Sequence, residues 1–300
     1  MFWPQNSRLP VAGEQECIYR RNRKRCVLLQ VSLCLVGQAY YAGQLAVPCV
    51  SSAMRSNGKM KGVKIALLIT CLGDVLRPSA GRATVELLRR LGHEVVFPQD
   101  QTCCGQPMYN SGFSELAKAQ AQHTIRVFEE FERIVTPSGS CAAMVKVEYP
   151  HLLQGESQWH DRAEQLASRT FELADFLVNQ LEVTDVGAKY EGRVAVHFAC
   201  HLRMLNQTDE VDRLVSNVAG AELVPIERRD QCCGFGGSFA VRYANISGAM
   251  VDDKMACILR ADADALVSTD NGCLMNIGGR LHREGQETEV LHIAELLGRR

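Results

Sequence analysis

Neither sign of charge is in excess in this chain. Its 300 residues include 33 lysines and arginines against 34 aspartates and glutamates, for a formal net charge of −1. Proteins that bind nucleic acid usually present a strongly basic surface, so no nucleic-acid partner is expected. The sequence also lacks an evident Ser–His–Asp set, a carboxylate pair, and a flavin or nicotinamide fingerprint. It therefore identifies no catalytic residue.

Cysteines spaced as C-x₂-C are absent as well. That spacing is typical of structural zinc sites and of thioredoxin-like dithiols, so its absence counts against both. The chain nevertheless has 13 cysteines, including the adjacent pairs Cys103-Cys104 and Cys232-Cys233. Adjacent cysteines rarely form a disulfide with each other. The pattern predicts reduced thiols in a cytoplasmic protein, held for metal binding or redox work.

The first 59 residues differ in composition from the rest. A basic cluster at 20–25 precedes an uncharged stretch at 26–53, an order typical of a signal peptide or membrane anchor. Polar residues interrupt the stretch, however, and it lies far from the N-terminus. We expect residues 1–59 to be a disordered extension or a misassigned start, with Met54 or Met60 as the true first residue. Four cysteines of this segment are therefore not expected to be ligands: Cys17, Cys26, Cys34 and Cys49.

An internal repeat of about 129 residues organises the remainder of the chain. Cys71 lies 32 positions before Cys103, and Cys200 lies 32 positions before Cys232. In each half a Cys-Cys-Gly follows, and then one more cysteine in a turn of small residues. The predicted ligands are Cys71, Cys103, Cys104 and Cys141 in the first half and Cys200, Cys232, Cys233 and Cys273 in the second. The predicted organisation is an extension at 1–59, a first repeat at 60–185 and a second repeat at 186–300.

Apolar runs that lead to these cysteines predict buried parallel strands. The runs lie at 63–70, 134–136, 193–199 and 265–269, and helical patterns separate them. This alternation predicts an α/β fold in which each repeat is a small parallel sheet with flanking helices. Ligands of such sheets bind at the carboxyl ends of the strands, so each set of four cysteines should meet at one edge. No membrane-spanning segment is expected in this core.

Thiolates gathered beside glycines suit an iron–sulfur cluster, because cysteines hold such clusters and backbone amides can then approach the sulfur atoms. We predict one iron–sulfur site in each repeat, with zinc binding and plain thiol chemistry as alternatives. His197 and His201 flank Cys200, and we interpret both as structural residues. Cys257 is predicted to point away from the apolar face of its helix and not to be a ligand.

Five strings in residues 60–300 carry a family resemblance: TCLGD at 70–74, QTCCGQP at 101–107, PSGSC at 137–141, QCCGFGG at 231–237 and LHREGQETEVLHIA at 281–294. They resemble the CCG, or cysteine-rich domain, family, which includes a heterodisulfide reductase component and the glycolate oxidase iron–sulfur subunit. Within that family the chain is similar to the lactate utilization protein A branch. The fullest family pattern ends each repeat with C-x₂-C, but Ser138 and Asp270 stand at the first of those positions here. This departure leaves the cluster type and heterodisulfide reduction open.

The resemblance implies tandem CCG repeats that bind iron–sulfur clusters, expected as [4Fe–4S]. It implies an oxidoreductase subunit that transfers electrons in a cytoplasmic complex oxidising L-lactate to pyruvate. Its implied partners are a ferredoxin-type iron–sulfur subunit and a third lactate-utilization subunit, because this chain lacks the ferredoxin cysteine run. One alternative is an electron-transfer subunit for another 2-hydroxy acid such as glycolate. Another, from a different class, is a non-redox, zinc-stabilised assembly protein.

Overall fold

The structure, a computed structural model, describes residues 62–300. The predicted extension at 1–59, with its four cysteines and the proposed start sites, lies outside the described residues. The described residues belong to one compact unit. The boundaries predicted at 59/60 and 185/186 remain predictions. The described strands are β1 Lys64–Leu67, β2 Glu94–Val96, β3 Ile134–Thr136, β4 Thr170–Glu172, β5 Lys189–Val196, β6 Ala219–Val224, β7 Ala265–Ser268 and β8 Glu289–His292.

Helices connect and cover these strands. They are α1 Cys71–Leu76, α2 Pro78–Arg90, α3 Gln106–Asn110, α4 Ser114–Phe128, α5 Gly139–Ala143, α6 Tyr149–Leu152, α7 Ser157–Arg169, α8 Leu173–Asp175, α9 Glu210–Val215, α10 Ser238–Arg242, α11 Ala244–Arg260, α12 Asn271–Arg283 and α13 Ile293–Gly298. π-Helical turns follow α5 and α8, at Met144–Glu148 and Phe176–Gln180, and a 3₁₀ helix spans Cys200–Leu205. None of the helices in the described part of the chain has the length and apolar character needed to cross a membrane.

The strands form two four-stranded parallel sheets of the same topology. Their strand orders are β2-β1-β3-β4 and β6-β5-β7-β8, and every neighbouring pair is parallel. The predicted duplicated α/β fold is thereby confirmed. In each sheet the chain runs from one central strand to the edge strand on one side, then returns to the other central strand and continues to the opposite edge. The central pairs are β1 with β3 and β5 with β7. A crevice forms beyond the carboxyl ends of such a pair, where α/β proteins bind their ligands.

The central strands are mostly buried toward their carboxyl ends, because helices cover both faces of a parallel sheet there. Every residue of β3 (IVT) and of β7 (ALVS) is buried, as are three of the four residues of β1. The edge strand β6 alternates more and leaves Ala219, Gly220 and Glu222 exposed. Continuous burial thus marks β3 and β7, which lead to the last cysteine of each set of four.

One hydrophobic core joins the two repeats. It contains Ile65 and Leu88 from the first repeat and Val194, Leu214 and Leu297 from the second, all of them fully buried. Each sheet also packs its other face on a core of its own. Complete burial of one such side chain stabilises a fold by about 1.5–3 kcal/mol. The shared core therefore fixes the two sheets relative to each other.

Helix α11 differs from its prediction. The predicted orientation of Cys257 is wrong, because Cys257 is fully buried. Of the predicted apolar face (Val251, Met255, Ile258 and Leu259), Val251 and Ile258 are buried, whereas Leu259 is 37% exposed. Lys254 also points inward, because its ammonium group donates to two backbone carbonyls, each 2.9 Å away. The inward stripe of the helix comprises Ser247, Val251, Lys254, Cys257 and Ile258.

Candidate metal centre

All eight predicted ligands lie after the carboxyl ends of strands. The first cysteine of each set of four follows β1 or β5, the Cys-Cys pair follows β2 or β6, and the last follows β3 or β7. Because parallel strands end at one edge, these turns converge. All eight cysteines line a single cavity of about 190 Å³. They are Cys71, Cys103, Cys104, Cys141, Cys200, Cys232, Cys233 and Cys273. We call the first four the first quartet and the last four the second quartet.

The sulfur atoms interact in the same order in the two quartets. Hydrogen-bonding neighbours run from Cys71 to Cys103 to Cys104 to Cys141 and from Cys200 to Cys232 to Cys233 to Cys273. The Sγ atoms of Cys104 and Cys141 are 3.3 Å apart. All nine cysteines of the described chain are free. The fold therefore gathers two equivalent sets of four thiols.

One thiolate is favoured in each quartet. Thiols of neighbouring cysteines donate to Cys103 and lower its pKa to about 3, and the amide of Gly105, 3.4 Å from the sulfur, acts in the same direction. The pKa of Cys232 is lowered to about 2 in the same way, with the amide of Gly234 at 3.4 Å. Hydrogen bonds to these thiolates, and then burial, raise the pKa of Cys71, Cys104, Cys200 and Cys233. In each quartet one cysteine, Cys103 or Cys232, thus favours the thiolate, which is the form that binds metal.

The glycine of each Cys-Cys-Gly is needed for this amide contact. Gly234 has φ +82°, a left-handed conformation that residues with a side chain rarely adopt. A Cβ atom there would also lie 2.8 Å from the carbonyl oxygen of Ser247. Glycine therefore allows its own amide to face the sulfur of Cys232.

The last cysteine of each quartet lies in the first turn of a helix. Ser138 caps α5, and its hydroxyl accepts the amide of Cys141 at 3.3 Å. Asp270 caps α12, and its Oδ1 accepts the amides of Gly272 at 3.0 Å and Cys273 at 3.4 Å. These caps hold the last cysteine of each quartet at the positively polarised end of a helix.

Ser138 and Asp270 also join the two repeats. The Oδ2 atom of Asp270 accepts the amide of Ser140 at 2.9 Å and the hydroxyl of Ser138 at 3.2 Å. Both residues are only 4% exposed and both line the cavity. The two positions without the further family cysteine therefore form an interface between the quartets. Sequence reasoning missed this role, although Ser and Asp just before a helix are typical caps.

The two flanking histidines have different surroundings. His201 lines the cavity, and its Nε2 lies 3.1 Å from Gln106 of the first repeat. His197 is buried, and neither of its ring nitrogens has a hydrogen-bond partner in the described chain. One of them lies within 4.8 Å of the sulfur atoms of Cys233 and Cys273. The interpretation of His197 and His201 as structural residues stays a prediction.

The residues present fit an iron–sulfur cluster. Each quartet supplies four sulfur donors, one of them anionic, with a backbone amide directed at that sulfur and a helix N-terminus behind another. In each quartet two sulfurs are buried and two are partly accessible from the cavity. Such cysteine sets, with hydrogen bonds to sulfur, are the ordinary ligands of these clusters. The cavity is therefore compatible with iron–sulfur binding.

The family model of the CCG cysteine-rich domain matches residues 65–146 and 194–278. Lactate utilization protein A of Geobacillus sp. strain WCH70 is 51% identical over 239 residues, covering 79% of this chain and 100% of the relative. That of Bacillus subtilis strain 168 is 47% identical, with the same coverage. A solved glutamate racemase from Bacillus anthracis aligns over 80% of each chain at 12% identity, but its TM-score of 0.32 supports no argument. The chain belongs to the CCG cysteine-rich domain family, in its lactate utilization protein A branch.

Proposed function

We propose that this chain is an iron–sulfur electron-transfer subunit in the oxidation of L-lactate to pyruvate. The single observation that carries the proposal is the cavity lined by both quartets. Oxidation of a 2-hydroxy acid to a 2-oxo acid releases two electrons and two protons. Two sites that each carry one electron, both on one cavity, match the two electrons released. The name of the relatives supplies lactate as the substrate.

The chain's own residues would hold the clusters and limit their contact with water. Iron–sulfur clusters supply one-electron transfer when they are bound. Cys104 and Cys233 are 3% and 2% exposed, so each site has a buried side against the core of its own repeat. The amides of Gly105 and Gly234 donate to sulfur and stabilise its negative charge. Cys71 is exposed, which leaves one quartet a route for electron exchange.

Partner subunits would remove the hydride from the substrate. The sequence has no flavin or nicotinamide fingerprint, and these cofactors carry most biological hydride transfer. We assign the substrate-facing oxidation and the exit of electrons to the partner subunits, which include a ferredoxin-type iron–sulfur subunit and a third lactate-utilization subunit; the ferredoxin-type subunit carries single electrons. A cytoplasmic location is part of the proposal.

Metal analysis tests the cofactor. Protein purified without oxygen should contain iron and acid-labile sulfide and should absorb broadly in the visible, with bleaching by dithionite. A colourless protein that contains zinc and no sulfide would contradict the proposal and favour a zinc-stabilised assembly protein.

Growth tests the substrate. A deletion strain without a second lactate dehydrogenase should grow poorly on L-lactate and normally on pyruvate and glycolate. Complementation with Cys104→Ser should fail, whereas Cys257→Ala, a change outside the cavity lining, should restore growth. Normal growth of the deletion strain on L-lactate would remove lactate from the proposal. A growth defect on glycolate alone would make glycolate the proposed substrate instead.

A further inference from the structure

The repeats carry different residues at one equivalent buried position. The amide of Leu68 donates to Val135 at 2.9 Å, and the amide of His197 donates to Val267 at 2.8 Å. Val135 and Val267 occupy the same place in β3 and β7, because each pairs with the strand that leads to its quartet. Leu68 and His197 are therefore counterparts. The first quartet has an apolar neighbour where the second has an imidazole.

The surroundings of the two side chains show the same difference. Leu68 packs in the same apolar core as Cys104 and Cys141. A ring nitrogen of His197 lies within 4.8 Å of Cys233 and Cys273, the corresponding sulfurs of the second quartet. The equivalent cysteines thus face a hydrocarbon in one repeat and a polar ring in the other.

The ring of His197 is buried beside two sulfurs of the second quartet. A neutral imidazole has one N–H donor and one acceptor nitrogen. Neither nitrogen meets the distance and angle of a hydrogen bond within the described residues, although the backbone of Arg229 also interacts with the ring. A buried donor without a full partner is unfavourable. The sulfurs of Cys233 and Cys273 lie within 4.8 Å of a ring nitrogen, so a small movement on cluster binding would bring one of them to hydrogen-bond distance.

Two charged groups near the second quartet oppose each other. Lys254 is fully buried, with its ammonium group on the carbonyls of Arg228 and Arg229, and it acts on the sulfurs of Cys233 and Cys273. Asp270 acts on the same quartet with the opposite sign, and Ser138 and backbone amides surround its oxygens. Their effects on the charge of a bound cluster therefore have opposite signs. The imidazole differs from both, because its N–H can donate to a ligand sulfur.

We propose that His197 donates its N–H to a ligand sulfur of the second site and thereby holds the reduction potential of that site above that of the first. The inference rests on the proposed function, since it needs clusters in both quartets. Reduction adds negative charge that is shared by the sulfur atoms, and a hydrogen bond to sulfur stabilises the reduced form. Leu68 offers no such donor, so electrons settle on the second site.

Redox titration monitored by electron paramagnetic resonance tests this assignment on the anaerobically purified full chain. His197→Leu, which copies the first repeat, should lower one midpoint potential and leave the other unchanged. We expect a change of about tenfold in the equilibrium constant for reduction, which is about 59 mV for one electron. His197→Asn keeps an N–H donor and should restore most of the shift. Leu68→His should raise the other potential.

Iron and sulfide content, measured on every variant, separates the possible failures. Wild-type protein without iron would contradict the proposed function and this inference with it. Wild-type protein with two clusters, and a Leu variant with full iron and both potentials unchanged, would overturn the inference alone. Loss of about half of the iron in both His197 variants would show that the ring holds metal, and it would overturn the hydrogen-bond role. In protein labelled with ¹⁵N-histidine, a hyperfine coupling between ¹⁵N and the second cluster that is present in the wild type and absent in His197→Leu would support the hydrogen-bond role.

Discussion

Replacement of Asp270 by alanine should destabilise the fold and the interface between the quartets together. The carboxyl group of Asp270 accepts the amides of Gly272 and Cys273 in its own repeat. It also accepts the amide of Ser140 and the hydroxyl of Ser138 in the other repeat. Alanine removes all four acceptor contacts at a position that is 4% exposed.

The expected cost follows from these contacts. Loss of a helix cap costs about 1 kcal/mol, and a buried donor left without its acceptor costs about 1–3 kcal/mol. Water will reach part of a site that borders the cavity, which reduces the penalty. We therefore expect the free energy of unfolding to fall by about 3 kcal/mol, or the melting temperature by about 6–12 °C in a domain of this size.

Thermal unfolding followed by circular dichroism measures the effect, and iron analysis of the same samples measures cluster retention. Asp161→Ala is the matched control, since Asp161 is exposed on α7 and a surface change of this kind costs at most about 0.5 kcal/mol. If Asp270→Ala melts together with the control and keeps its iron, the carboxyl group does not join the repeats, and the reasoning fails.

Three further predictions concern the ligands, a buried acid and the interface. Cys104→Ser and Cys233→Ser should each lower bound iron by about half, whereas Cys257→Ala should keep it; full iron in both serine variants would rule out the ligand assignment. Burial raises the pKa of Glu172 from 4.5 to about 8, so the folded form keeps a proton that the unfolded chain releases. Stability should then fall as the pH rises from about 4.5 to about 8. Glu172→Gln should flatten that slope in urea unfolding, and an unchanged slope would contradict the assignment. Arg77 donates to two groups of the second repeat at 3.0 Å, so Arg77→Ala should lower unfolding stability by about 2 kcal/mol, and melting at the wild-type temperature would refute this.

The sequence predicted the structure best where a single pattern, such as a continuous apolar run or a repeated cysteine spacing, was present. Continuous apolar runs at 134–136 and 265–269 correspond to β3 and β7 almost residue for residue, because fully buried parallel strands leave little room for polar residues. Equal cysteine spacing in the two halves predicted that each set of four thiols meets at one sheet edge, but not that both sets line a single cavity. These features depend on local pattern and repeat symmetry.

Helix α11 shows where such patterns fail. A hydropathy pattern treats lysine as exposed, yet Lys254 is buried because two backbone carbonyls of a distant loop accept its protons. Its inward position rotates the helix and buries Cys257. The partners that allow this are set by tertiary structure, and no periodicity along the helix itself reveals them.

The geometry of the quartets shows what Ser138 and Asp270 do at the two positions where the fullest family pattern has a cysteine. A fifth thiol at position 138 or 270 would sit between the repeats, at the floor of the cavity, and would add a sulfur donor there. Ser138 and Asp270 instead use their oxygens to cap α5 and α12 and to bind each other across the interface. Hard oxygen groups engaged by N–H and O–H donors are poor candidates for binding iron that thiolates already surround. The substitutions therefore exchange a ligand for a rigid connection, and each site is left with four sulfur donors of fixed spacing.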